Sequence, residues 1–228
     1  MRDKDIDDIL QRAGETSPGV DPALLHQISA GLGSGLQPVR PMPSFRLLLT
    51  ALIVLCAIVG IAGALMLGPF GLHKMNAMEA VLIFSVLGAC TVLSAAVSIA
   101  EAIPGSRRLI SPAWLVIIGC ASLVAVFALL FHDYRTELFV TQGIPCLRAG
   151  LLYAIPAALG VWWILRRGFP VNAVSSGLAR GTLAGLAGVI MLELHCSNFE
   201  APHVIVWHTF VIPISAALAA VAARVRRH

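Results

Sequence analysis

The chain of 228 residues is 58% hydrophobic and 12% charged, with a formal net charge of +4 and a mean hydropathy of +0.86. A soluble domain of this length carries about a quarter charged residues, so the composition excludes an ordinary water-soluble globule and describes an integral membrane protein. The positive charge follows from arginine placement at span ends and calls for no direct contact with nucleic acid.

Residues 1–45 read as a cytosolic partner-binding tail and linker. Ile6, Ile9, Leu10 and Ala13 fall on one face of a short helix whose start carries Asp3, Asp5, Asp7 and Asp8, where the helix dipole favours acids. A second short helix is predicted from Asp21 as N-cap, with Pro22 in its first turn and an apolar stripe of Leu24, Leu25, Ile28 and Leu32. Gly31, Gly33 and Gly35, followed by Pro38, Pro41 and Pro43, read as a linker. Two short apolar stripes cannot bury enough surface to fold robustly alone, and they suit a soluble cytosolic partner. The alternative resting place is the cytosolic side of the bundle itself. The tail lacks the apolar core of a cleavable signal peptide, so the first span is expected to direct insertion.

From residue 46 to 228 the pattern is an all-α, polytopic bundle of six transmembrane helices, at roughly 46–68, 77–100, 112–131, 149–165, 178–195 and 204–223. Arg40 and Arg46 open the first span, Arg107 and Arg108 follow the second, Arg166, Arg167 and Arg180 lie between the fourth and fifth, and Arg224, Arg226 and Arg227 end the chain. All fall on one side, which the positive-inside rule makes cytoplasmic, with both termini there. Gly177, Gly181 and Gly185 recur every fourth residue, beside Gly188, the spacing that lets membrane helices approach closely. Pro156 and Pro213 interrupt the fourth and sixth spans.

Glu79, Glu101 and Glu193 all lie toward span ends, leaving no charged group at mid-membrane for an ion-coupled transporter. With no phosphate-binding glycine loop, His-Glu-x-x-His helix or nucleophile elbow, the chain reads as a non-enzyme that needs no cofactor. The far side holds the unusual chemistry. A loop predicted over 132–148 carries Cys146, and the end of span five supplies His195 and Cys196, followed by His203 and His208. Thiolate and imidazole suit a soft metal ion, and two thiols in an oxidising compartment can instead form a disulfide. The plainer readings are histidines at the headgroup level beside Trp207, and cysteines that merely pack. Cys56, Cys90 and Cys120 lie inside apolar spans and are expected to be inert.

Several segments together resemble the NrsF-like family of bacterial six-span membrane anti-sigma factors, negative regulators of sigma F. They are Pro145-Cys146, Trp162-Trp163, Arg166-Arg167-Gly168-Phe169-Pro170, the Gly177 to Gly188 span, Glu193-Leu194-His195-Cys196, Ala201-Pro202-His203 and Trp207-His208. The resemblance is carried by Gly143 to about Ala220. It implies that an N-terminal segment holds an extracytoplasmic-function sigma factor inactive, and that Cys146 and Cys196 take part in sensing metal or oxidative stress. Ile6, Ile9, Leu10, Leu24, Leu25 and Ile28 are then the expected partner contacts, on the strength of the apolar stripes. A different class remains open, a thiol-dependent membrane oxidoreductase or metal-handling protein, although no Cys-x-x-Cys pair is present.

Overall fold

The computed structural model describes residues 12, 21–35, 42–106 and 110–225. It divides into two units, Met1–Pro41 and Met42–His228. Among the described residues of the first unit, a helix, α1, runs over Pro22–Gly35. Asp21 caps it as the sequence predicts, its Oδ1 accepting the Ala23 N–H at 2.9 Å. The helix continues through Gly31 and Gly33, which the sequence reading gave to a linker. Leu24, Leu25 and Ile28 are each about half exposed, at 49%, 53% and 49%. Ile6, Ile9 and Leu10 lie outside the described residues.

The second unit is all-helical among its described residues, and six of its helices are long and apolar enough to cross a membrane. They are span one (Phe45–Leu67), span two (Ala77–Ala102), span three (Pro112–Leu130), span four (Phe139–Leu165), span five (Ala173–His195) and span six (Ala201–Val225). Polar residues start several of them. Asn76 and Glu79 form a reciprocal capping box at span two, with both bonds at 2.9 Å. Asn172 Oδ1 accepts the N–H groups of Val174 and Ser175 at 3.0 and 3.1 Å and opens span five. Pro112 follows the Ser111 cap at span three, where its missing N–H costs nothing.

Three boundaries differ from the sequence expectation. Span four begins at Phe139 rather than near 149, so Cys146 sits on a helix and not in a loop. Gln142, Gly143, Pro145 and Arg148 dilute the apolar run there and hide these extra turns from a hydropathy reading. Span five begins at Ala173 rather than near 178, which places Arg180 about two turns into the span rather than at its edge, and span six opens at Ala201 instead of 204. A short helix, Phe70–Lys74, and a π-helical turn, Val204–His208, were not expected.

Span five is the axis of the bundle. Its apolar window is 78% buried, against 22–39% for the other five spans. Glycine is what permits this. A Cβ at Gly177 would lie 2.6 Å from Ala220 Cα, one at Gly181 2.6 Å from Ala216 Cα, and one at Gly185 2.9 Å from Ile212 Cα. Spans five and six therefore pack almost backbone to backbone, as the four-residue repeat predicts. Gly181→Leu is expected to cost about 3 kcal/mol by forcing these backbones apart, read as a lowered melting midpoint in detergent. Below this contact, Leu48, Leu52, Ala157, Val161, Leu183 and Ala187 form one apolar core. At the other end Phe127, Phe131, Met191, Leu192, Val204 and Val211 belong to a second.

Backbone bonds tie the loops at each end. Phe169 N–H donates to Ala102 C=O at 2.9 Å on the side of Arg166 and Arg167. On the opposite side Ala201 N–H donates to Asp133 C=O at 2.7 Å, and Lys74 Nζ to Ser197 C=O at 3.1 Å. That second end carries the cysteines.

Candidate metal and thiol centre

Cys146 comes from the early turns of span four. Cys196 closes span five, its amide donating to Leu192 C=O at 2.7 Å. His203 and His208 come from the first turns of span six. The π-helical turn Val204–His208 widens the helix here, a local irregularity frequent at functional sites. Pro213 further along has no N–H to offer the Thr209 carbonyl, so the ladder around these residues departs from a regular α-helix.

One ligand atom from each of Cys146, Cys196, His203 and His208 lies within 4.8 Å of every other. The Cys146 and Cys196 sulfurs are 3.5 Å apart, and Cys196 Sγ is 3.5 Å from His203 Nε2. Donor atoms around a tetrahedral ion, with metal bonds of about 2.0–2.3 Å, stand about 3.3–3.8 Å from one another. Two edges of the set already match that spacing. Both thiols are free, and at 3.5 Å they are also close enough to be joined by oxidation. The Cys196 thiol holds its proton above the ordinary cysteine range, chiefly through its hydrogen bond with Cys146 and then through burial, with His203 and His208 opposing. Metal capture must displace that proton, so binding is expected to tighten as pH rises.

The fifth member of the group is Glu193. It is fully buried at the end of span five, and its Oε1 accepts a 2.6 Å hydrogen bond from His208 Nδ1. Engaging Nδ1 leaves Nε2 as the nitrogen able to bind a metal, and among the described residues Nε2 has no hydrogen-bond partner. A carboxylate behind a ligating imidazole fixes its tautomer and orientation. Glu193→Gln should therefore weaken metal affinity by about 10- to 100-fold while all four donors remain, measured by competition with a chromophoric chelator. The sequence places Glu193 one helical turn before Cys196 but does not point to His208 as its partner.

Close packing holds these groups. Gly71 approaches the carbonyls of Glu193 and Cys196 so nearly that a Cβ could not fit, and Gly143 is similarly pressed against the Trp207 indole. The rings of His203 and His208 meet edge to face with centroids 5.3 Å apart, and Phe127 lies 6.5 Å from His208. Asn198 forms a strap over the thiol: its carbonyl accepts from Cys196 Sγ at 3.7 Å, and its Nδ2 donates to Gln142 Oε1 at 2.7 Å. A polar cleft of about 560 Å³ lined by Lys74, Asp133, Gln142, Asn198 and Glu200 opens beside this strap. His195 stands apart from the four donors. Its Nδ1 is 2.8 Å from Gly68 C=O and its ring lies against Phe70. Cys56, Cys90 and Cys120 are likewise outside the cluster, and Cys56 Sγ donates to Leu183 C=O at 3.9 Å.

Six apolar spans and a largely buried two-cysteine, two-histidine group at one end define a multi-pass membrane protein with a soft-donor centre. Within that class, the chain belongs to the NrsF family, described as negative regulator of sigma F, which matches residues 32–226. The match takes in all six spans and reaches back into α1, well beyond the Gly143 to Ala220 stretch that carries the resemblance by eye. It makes the protein a member of a family of sigma-factor regulators, which is not a family of enzymes. No curated protein and no solved structure matches the chain.

Proposed function

We propose that this protein is an anti-sigma factor of the bacterial inner membrane, with both termini in the cytoplasm. In this reading it holds an extracytoplasmic-function sigma factor through its N-terminal tail and releases it when the far end of the bundle captures a soft metal ion or its thiols are oxidised. The observation that carries the sensing half is the four-donor cluster of Cys146, Cys196, His203 and His208 with Glu193 behind it. Drawing these donors to one ion links spans four, five and six, and a change in their packing alters how span one presents the tail. The demand is modest, since about 3 kcal/mol between holding and releasing states shifts the complex more than a hundredfold.

The holding half rests on the apolar stripe. A 14-residue helix with glycines in its later turns is near the length at which an isolated helix is marginal in water. Leu24, Leu25 and Ile28 on its surface give it a reason to bind a partner. The test is a pull-down of the full-length protein in detergent against the host's extracytoplasmic-function sigma factors, with Ile9→Asp and Leu25→Asp as controls. Specific capture lost in those variants supports the reading, and no capture of any such factor removes it.

Thiol oxidation is favoured as a second trigger by the 3.5 Å separation of the sulfurs. It would join the two sulfurs with loss of two protons and two electrons to an oxidant such as a peroxide.

A further inference from the structure

Arg180 is a cation inside span five that the sensing centre does not use. It is half-buried on a helix that begins at Ala173, at the end of the bundle where Arg166 and Arg167 also lie. Its Nε and Nη2 are buried and, among the described residues, have no hydrogen-bond partner. A guanidinium inside a span is costly unless it is compensated, and such groups face the bundle interior or a cavity where a counter-charge enters. The cavity is present. Arg180 lines a cleft of about 200 Å³ between spans four, five and six, whose other walls include Leu159, Trp162, Gly177, Ala219 and Ala222. No carboxylate is among the cleft's lining residues. Among the described residues the walls are apolar and their one charge is cationic, so the cleft suits a group that is anionic at one end and hydrocarbon at the other.

We propose that this cleft is a binding site for an anionic glycerophospholipid, its phosphodiester on the Arg180 guanidinium and its first methylenes against Leu159 and the alanines of span six. Arginine presents paired N–H groups that match phosphate oxygens, and a charge-assisted bond of this sort is the strong kind. The small residues matter as much as the cation. Gly177 and Ala219 keep spans five and six close without filling the crevice, so the lipid adds to an interface already formed and need not open it.

The test uses the full-length protein, delipidated in a neutral detergent and then offered phosphatidylglycerol or inorganic phosphate. Native mass spectrometry is expected to find phosphatidylglycerol retained by the wild type and by Arg180→Lys, and retained about tenfold less by Arg180→Leu. Phosphatidylglycerol should raise the melting midpoint of the wild type but not that of Arg180→Leu, and inorganic phosphate should raise neither. Without lipid, Arg180→Leu should melt at or above the wild type, because it removes an uncompensated charge. Equal retention by wild type and Arg180→Leu overturns the proposal. A matching shift with inorganic phosphate alone overturns it too, by making the occupant a free anion. A lower lipid-free midpoint for Arg180→Leu also overturns it, since the protein itself would then be satisfying the charge.

Discussion

Replacing Cys146 and Cys196 together by serine is expected to abolish metal binding to the bundle and to leave the sigma factor held under metal stress. Each thiolate is both a strong donor and a negative charge that offsets the cation, and serine at the same position remains a neutral, weakly ligating hydroxyl. A structural four-ligand zinc site is worth about 10–16 kcal/mol at neutral pH, so losing both thiolates from such a set should weaken binding at least about a thousandfold. The measurement is titration of purified full-length protein with cobalt(II), whose thiolate charge-transfer absorption reports sulfur ligation directly, followed by displacement with zinc. Wild type should show that absorption and the double serine variant should not. If stress still releases the partner from the double variant, sensing does not run through these thiols.

Single changes separate metal capture from thiol oxidation. Replacing His203 or His208 removes an imidazole donor but leaves both sulfurs, so a metal response should fall while a peroxide response survives. The His208 variant also strands Glu193, a carboxylate with no exposed surface whose only described hydrogen bond is to His208. Breaking a buried pair from one side costs about 3–5 kcal/mol. His208→Ala should accordingly lower the melting midpoint, and the companion change Glu193→Leu made in that background should recover much of the loss.

The six spans were legible because bilayer burial writes itself into long apolar runs, and the Gly177, Gly181, Gly185 spacing foretold a close helix approach, though not that span six makes it. The start of span four was not legible, because its first turns carry Gln142 and Arg148, which interrupt the apolar run. Cys146, Cys196, His203 and His208 could be named from residue type, but their convergence depends on spans four, five and six meeting at one end. His195 shows the limit of that reasoning. It precedes Cys196 directly in sequence, yet the helix turns it toward Gly68 and Phe70. Glu193 and Arg180 were misjudged for a shared reason: a charge near a predicted span end reads as a solvated flank, and only packing reveals Glu193 as buried and Arg180 as half-buried.

Leu25→Asp is expected to remove sigma-factor capture with little effect on the bundle. The residue belongs to the unit Met1–Pro41 and is 53% exposed, so a charge there should not disturb the apolar cores of the spans. Its neighbours on the stripe are Leu24 and Ile28. Interface anchors of this kind cost about 2–4 kcal/mol when lost, and an aspartate that must be desolvated against an apolar groove adds to that, so affinity should fall by about a hundredfold or more. The comparison that gives the result meaning is Gln27→Asp on the same helix, which changes charge equally outside the stripe. Binding measured by interferometry on nanodisc-embedded protein should be lost with Leu25→Asp and Ile28→Asp and largely kept with Gln27→Asp. Equal losses from all three would mean that net charge of the tail matters and the stripe does not. No loss from any would move the contact to the residues before Asp21, where Ile6, Ile9 and Leu10 form the other apolar stripe expected from the sequence.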